Sequence, residues 1–154
     1  MTVRSSTRLR VSVLVGLMAA GLLSVGLSFA APASATAPLR LTFEKESVGV
    51  GVWEGSVSGD VDGDLTTVLT SCTGPNPCSG TIWHVEFDWI VGAGAESFTA
   101  HLSGTLNNQT GAVVMDGTVA DGFLQGAQVH EEGQLVNAEN LRFEGSIRVM
   151  PPTA

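Results

Sequence analysis

Alternation of apolar and polar residues is the feature that most constrains the fold of this chain. Between residues 140 and 149, Leu141, Phe143, Ile147 and Val149 occupy every second position together with a glycine, and polar residues occupy the positions between them. Residues 81–91 show the same period. Side chains at alternate positions of a strand share one face, so such runs predict strands with one buried face.

Eight runs of this kind can be counted along the chain. They lie at about residues 38–46, 48–58, 65–72, 80–91, 96–106, 111–119, 125–136 and 140–150. Short connections rich in Gly, Asn and Asp join them, which favours antiparallel neighbours. We predict a single all-β domain over residues 36–154, an eight-stranded antiparallel β-barrel, with a β-sandwich as the alternative. Closure would remove exposed sheet edges, and a barrel of this size can enclose one small ligand.

Residues 1–35 are predicted to be a signal peptide. Three arginines in the first ten residues precede an apolar stretch over 11–31, and the small-residue sequence 32–35 follows it. This order is typical of a Sec-type export signal, with cleavage expected after Ala35. An uncleaved membrane anchor is the alternative, because the apolar stretch is long enough to cross a bilayer. The expected mature protein is secreted and has no stable membrane association.

The charge of the exported part is strongly acidic. Beyond residue 35, four basic residues accompany all 15 acidic residues of the chain, and the four are Arg40, Lys45, Arg142 and Arg148. A nucleic-acid-binding protein needs a basic surface, so this class of partner is excluded. Attraction to an anionic lipid surface is disfavoured for the same reason. The sequence predicts no oligomeric state.

The two cysteines are predicted to form a disulfide. Cys72 and Cys78 enclose a short segment containing one glycine and two prolines, which favour a tight loop. An exported protein meets an oxidising environment, where such bonds form and persist. Catalytic thiol chemistry and a metal site are the alternatives, and a metal site would need two further ligands of suitable type.

Three segments resemble the allene oxide cyclase and dirigent barrel superfamily, particularly its allene-oxide-cyclase-like bacterial members. They are AVVMDGTV at 112–119, GFLQGAQV at 122–129 and LRFEGSI at 141–147. The resemblance implies an eight-stranded barrel with a mostly apolar cavity. It also implies ligands such as oxylipins, phenolic radicals or polyketide-like chains, which related cyclases hold in a reactive shape. It identifies no catalytic residue in this chain.

Two glutamates are candidate catalytic groups. Alternation places Glu131 on the inward face with Val129 and Leu135, where an apolar setting would raise its pKa and suit it to acid–base chemistry. A one-residue bulge would instead place it in solvent. Glu54 continues the phase of the preceding valines, whereas Trp53 supports the opposite phase. The direction of Glu54 is therefore open.

Five aromatic residues are candidate walls of a ligand cavity. They share inward phases on their predicted strands and are Trp53, Trp83, Phe87, Trp89 and Phe98. Packing in a filled core is the alternative interpretation. In a barrel the two roles overlap, because the upper part of the core lines any cavity.

Metal binding is weakly indicated by the sequence. Three histidines lie on polar faces, His84, His101 and His130, and the first two are candidate cross-strand neighbours. A solvated exterior is the simpler interpretation, and we predict no metal there. Asp60, Asp62 and Asp64 alternate in a turn, as oxygen ligands of calcium do, but the residues that follow depart from the EF-hand pattern. A solvated acidic turn is the alternative, and calcium binding is left open.

Two functions remain compatible with these features. The first is a secreted barrel that binds a small apolar ligand and, in an enzymatic form, cyclises or isomerises it without a cofactor. The second is a non-enzymatic structural or interaction protein whose barrel is filled by side chains. Sequence motifs for nucleotide binding, zinc proteolysis and serine hydrolysis are absent from the chain.

Overall fold

A computed structural model describes residues 37–73 and 78–152. The predicted signal peptide and its cleavage site lie outside the described residues. The strands are β1 (Leu39–Gly49), β2 (Val52–Gly59), β3 (Gly63–Thr73), β4 (Ile82–Gly92), β5 (Phe98–Asn107), β6 (Ala112–Gly122), β7 (Gln128–Asn137) and β8 (Arg142–Met150). One short 3-10 turn, Gly94–Glu96, precedes β5. Within the described ranges, no helix is long and apolar enough to cross a membrane.

The eight strands form a closed antiparallel barrel. Each strand pairs with its neighbours in sequence, and β1 pairs with β8 to complete the ring. The predicted barrel is therefore confirmed, and the sandwich alternative is wrong. Each predicted run corresponds to one observed strand, although the run 48–58 also includes the last two residues of β1.

Glycine lets neighbouring strands approach closely at inward positions. A side chain at Gly55 of β2 would collide with the backbone of Glu44 and Lys45 in β1. A side chain at Gly145 of β8 would meet the backbone of β7 and the Phe43 ring. These two glycines therefore mark places where neighbouring strands approach closely around the middle of β1.

The two ends of the barrel differ in packing. One end is filled by buried apolar side chains, among them Leu41, Leu65, Val91, Val119 and Val149. The opposite end carries the connections β1–β2, β3–β4, β5–β6 and β7–β8, and a cavity opens there among half-buried side chains. The candidate site lies at this second end, which we call the open end.

The disulfide fixes one connection at the open end. Cys72, near the end of β3, is bonded to Cys78 in the β3–β4 connection, with the two Cα atoms 5.5 Å apart. The predicted pairing is confirmed. Cys72 also packs against the core, so the bond ties the connection to the wall of the barrel.

Candidate functional site

The cavity at the open end has a volume of about 140 Å³. Its walls come from all the strands and are nearly all apolar. Two polar side chains contribute to the lining: Lys45 from β1 and Asn108 from the β5–β6 turn. Its composition is that of a small-molecule site, in which apolar walls surround a few polar groups.

Aromatic side chains fix the shape of the cavity. The indole N–H of Trp53 donates a hydrogen bond to the Leu141 carbonyl (3.2 Å), and that of Trp83 donates to the Gly80 carbonyl (3.1 Å). Trp53 also packs edge-on against Phe87, with ring centroids 5.4 Å apart. Because both indoles are bound to main-chain carbonyls, their rings are held in place before any ligand enters.

Three of the five predicted wall residues line this cavity, namely Trp53, Trp83 and Phe87. Trp89 lies in the fully buried core and packs edge-on against Phe43, with centroids 5.1 Å apart. Phe98 is buried at the filled end of the barrel. The prediction that Trp89 and Phe98 form cavity walls is corrected accordingly: both face inward, but at other levels along the barrel axis.

A buried ion pair crosses the interior between β1 and β7. Lys45 Nζ lies 3.3 Å from Glu131 Oε1, and the two side chains are 6% and 0% exposed. Glu131 therefore faces inward, as its alternation with Val129 predicts, and no bulge turns it into solvent. Lys45 faces inward because it continues the phase of Leu41 and Phe43 on β1.

Aromatic rings surround the Lys45 ammonium group. Its Nζ lies 4.2 Å from the centroid of the Trp89 ring, 5.1 Å from that of Phe43 and 5.5 Å from that of Phe87. The negative faces of such rings attract a cation and partly replace the water that burial removes. The aromatic residues below the cavity thus position and stabilise Lys45.

Burial shifts the two partners of the ion pair toward their neutral forms. Loss of water lowers the pKa of Lys45, and the charge and hydrogen bond of Glu131 oppose this shift. Loss of water likewise raises the pKa of Glu131, against the charge and hydrogen bond of Lys45. The indole of Trp89 also favours the ionised carboxylate, although its Nε1 falls outside hydrogen-bond geometry. Both shifts reduce the preference of the pair for its ionised form.

Glu54 does not belong to the site. It lies on the outer face of β2, opposite Glu46 and Thr66 on the neighbouring strands, and is exposed. The inward positions of β2 are those of Trp53 and Val57. Glu54 as a catalytic group inside the barrel is therefore a wrong prediction.

The histidines also lie outside the barrel. His84 is paired with Thr105 and His101 with Asp88, so the expected His84–His101 neighbour pair is not formed. His101 instead contacts the Asp88 carboxylate. His130 lies between two carboxylates at 2.7 and 3.2 Å, and their hydrogen bonds raise its pKa.

The acidic turn uses its carboxylates to bind backbone amides. Asp60 accepts a hydrogen bond from the Arg40 amide (2.7 Å), and Asp62 accepts one from the Gly59 amide (3.1 Å). Over residues 37–73 and 78–152, no group of three or more histidine, cysteine or carboxylate side chains is arranged to hold a metal ion. The turn thus has a structural role at the filled end of the barrel.

The sequence reasoning missed Lys45. Two signals could have identified it: it shares the inward phase of Leu41 and Phe43, and it is the single lysine of the chain. Because glutamates stand on both sides of it, the local sequence has the composition of an exposed charged segment. The structure places this lysine below the cavity, where it is the basic member of the site.

Comparison with protein-family models, curated proteins and solved structures finds no match to this chain. The resemblance to allene-oxide-cyclase-like barrels stays a prediction, and the functional argument rests on the cavity and its ion pair.

Proposed function

We propose that the protein binds a small, mostly apolar molecule in the cavity at the open end. The observation that carries this proposal is a cavity of about 140 Å³ with aromatic walls held in place by their own hydrogen bonds. An apolar cavity of about 150 Å³ accommodates benzene. The size therefore suits a single ring, or the end of a longer chain whose remainder extends through the mouth.

The polar groups of the site favour a ligand with one polar substituent. A ring that enters between Trp53 and Trp83 would bring its inner end toward Lys45, because Lys45 is part of the lining. A hydroxyl, carbonyl or carboxylate at that end would find a hydrogen-bond donor in an otherwise apolar space. Nucleic acid is an unsuitable partner, because the exported part of the chain is strongly acidic.

The same geometry supports an enzymatic form of this function. Glu131 is buried beside Lys45, and the pair can take up and release one proton without a cofactor. A flexible ligand held between fixed aromatic rings could be isomerised or cyclised by positioning and proton transfer. The open cavity favours both binding and catalysis over the alternative of a filled structural barrel.

Export is part of the proposal. The disulfide between Cys72 and Cys78 fits an oxidising compartment, since such bonds are rare in reducing ones. The mass of the protein from its own host tests this point. The expected mass corresponds to residues 36–154 with one disulfide, and a mass that includes residues 1–35 would contradict cleavage.

Binding can be tested with benzyl alcohol, which has one ring and one polar group. We expect saturable shifts in the amide spectrum of the isotope-labelled protein, confined to residues at the open end. Leu135→Phe should abolish them, because Leu135 lines the cavity and a larger side chain would fill it. Val136→Phe is the matched control, since Val136 is the next residue on the same strand and is exposed.

Three outcomes are informative. Binding that is lost in Leu135→Phe and retained in Val136→Phe supports the cavity as the site. Equal binding by both variants places the ligand elsewhere and contradicts the proposal. The lack of any saturable shift in the unmodified protein would favour the filled structural barrel.

A further inference from the structure

The protein has one lysine, and the barrel buries it. The primary amines of the chain are Lys45 Nζ and the α-amino group at its N-terminus. Lys45 is 6% exposed and contributes to the cavity lining. A lysine that served solubility would lie on the surface, as most lysines do. Its position below an apolar cavity calls for a chemical explanation.

We propose that Lys45 is a covalent capture site, which forms an imine with the aldehyde or ketone group of a small apolar ligand. This inference rests on the proposed function, because the ligand must first enter the cavity at the open end. It goes further by naming the reactive group of the ligand and the atom that bonds to it.

The geometry supplies what imine formation requires. Trp53, Trp83 and Phe87 would hold the apolar part of the ligand and direct its carbonyl carbon toward Lys45 Nζ. Glu131 Oε1 lies 3.3 Å from that nitrogen, within reach for proton transfer. The surrounding rings leave Lys45 only 6% exposed, which limits the access of water that would reverse the reaction by hydrolysis.

The reaction balances without an added reagent. The lone pair of neutral Lys45 Nζ attacks the carbonyl carbon, a C–N bond forms, and the carbonyl electron pair moves to oxygen. Glu131, which holds the proton that Lys45 gave up, donates it to this oxygen and takes one from the nitrogen, which gives a carbinolamine. Glu131 then moves the remaining amine proton from nitrogen to the hydroxyl, which leaves as water as the C=N bond forms. An aldehyde or ketone and an amine thus become an imine and one water molecule, with no change of oxidation state.

Burial also favours the reactive form of the amine. Removal from water lowers the pKa of Lys45, so a larger fraction of the amine is neutral than in an exposed lysine. Desolvated lysines in apolar pockets are the usual nucleophiles for carbonyl substrates. This shift agrees with the geometry and adds to it.

Reductive trapping tests the inference. Benzaldehyde has the single ring that suits the cavity, and sodium cyanoborohydride converts its imine into a stable secondary amine. We expect the protein at neutral pH to gain one benzyl group in place of one amine hydrogen. Peptide mapping should place it on Lys45 before the α-amino group is modified. The α-amino group is the second primary amine of the chain, and the same digest reports its modification as an internal reference.

Benzyl alcohol and the two cavity variants separate this inference from the proposed function. Benzyl alcohol should compete with trapping at Lys45, because it occupies the same space without a carbonyl. Leu135→Phe should block trapping and Val136→Phe should allow it.

Each result decides between the two proposals. Benzyl alcohol binding with benzylation of the α-amino group alone would overturn carbonyl capture and leave ligand binding intact. Failure of benzyl alcohol to bind would reject both. If Lys45 were benzylated to the same extent with and without benzyl alcohol, the inference would also be overturned. The aldehyde would then reach Lys45 without occupying the cavity.

Discussion

Replacement of Lys45 by methionine is predicted to make the stability of the barrel fall as pH rises. Glu131 is completely buried, and Lys45 provides the one ion-pair contact recorded for its carboxylate within the described chain. Without the lysine, the carboxyl group stays protonated in the fold at pH values where it ionises in the unfolded chain. The folded state then binds one proton more than the unfolded state, so the free energy of unfolding decreases with pH.

The pH at which the free energy of unfolding begins to decrease follows from the ordinary pKa of a glutamate. The decline begins near 4.5, the value for an unperturbed Glu, and continues up to the raised pKa of Glu131 in the fold. Each pH unit between these two values costs about 1.4 kcal/mol of unfolding free energy. In the unmodified protein, the charge and hydrogen bond of Lys45 oppose the rise in the pKa of Glu131, so the decline should be smaller than in the variant.

Urea unfolding followed by tryptophan fluorescence, at several pH values from about 5 to 8, measures this slope. The control is the double variant Lys45→Met/Glu131→Gln, which removes both titrating groups and should therefore show no slope from this site. The difference between single and double variant isolates Glu131 from other titrating groups. A single variant whose stability runs parallel to that of the double variant would refute the argument that Glu131 depends on Lys45 for its charge.

Three further predictions concern the rest of the barrel. Reduction of the Cys72–Cys78 disulfide should lower the free energy of urea unfolding by about 2 kcal/mol, because the closed loop is short. Gly55→Ala should lower the melting temperature far more than Gly49→Ala, since an added methyl group meets backbone at the first position and open space at the second. His130→Gln should cost less than about 1 kcal/mol near pH 5.5 by chemical denaturation, and nothing near pH 9. The raised pKa of His130 gives stability that is present below pH 6.5 and is lost as the pH rises through that pKa.

The fold could be predicted from the sequence because the strands have one face toward solvent and one face toward the barrel interior. The run predicted at 140–150 corresponds to Arg142–Met150, and that at 80–91 corresponds to Ile82–Gly92. Alternation of this kind distinguishes strands from helices directly. Closure of the ring followed from short connections between eight such strands, since neighbours in sequence become neighbours in space.

The site was predicted less completely because alternation gives only the direction of a side chain. It placed Glu131 inside correctly, but it could not say at which level along the barrel axis Trp89 and Phe98 would lie. Alternation also failed to give the direction of Glu54. The preceding Val48 and Val50 alternate as residues of a buried face do, but both are exposed. A register shift near the β1–β2 turn separates the phase of those valines from the inward phase of β2.

Lys45 shows which information a local pattern lacks. A lysine flanked by Glu44 and Glu46 has the composition of a solvated strand, and only a carboxylate 86 positions along the chain makes its burial tolerable. Such a pair adds little to stability, because two apolar side chains of similar volume would serve the fold as well or better. A barrel selected for stability alone has no need of its single lysine in the interior. Its burial below an aromatic cavity agrees instead with the proposed capture of a carbonyl ligand.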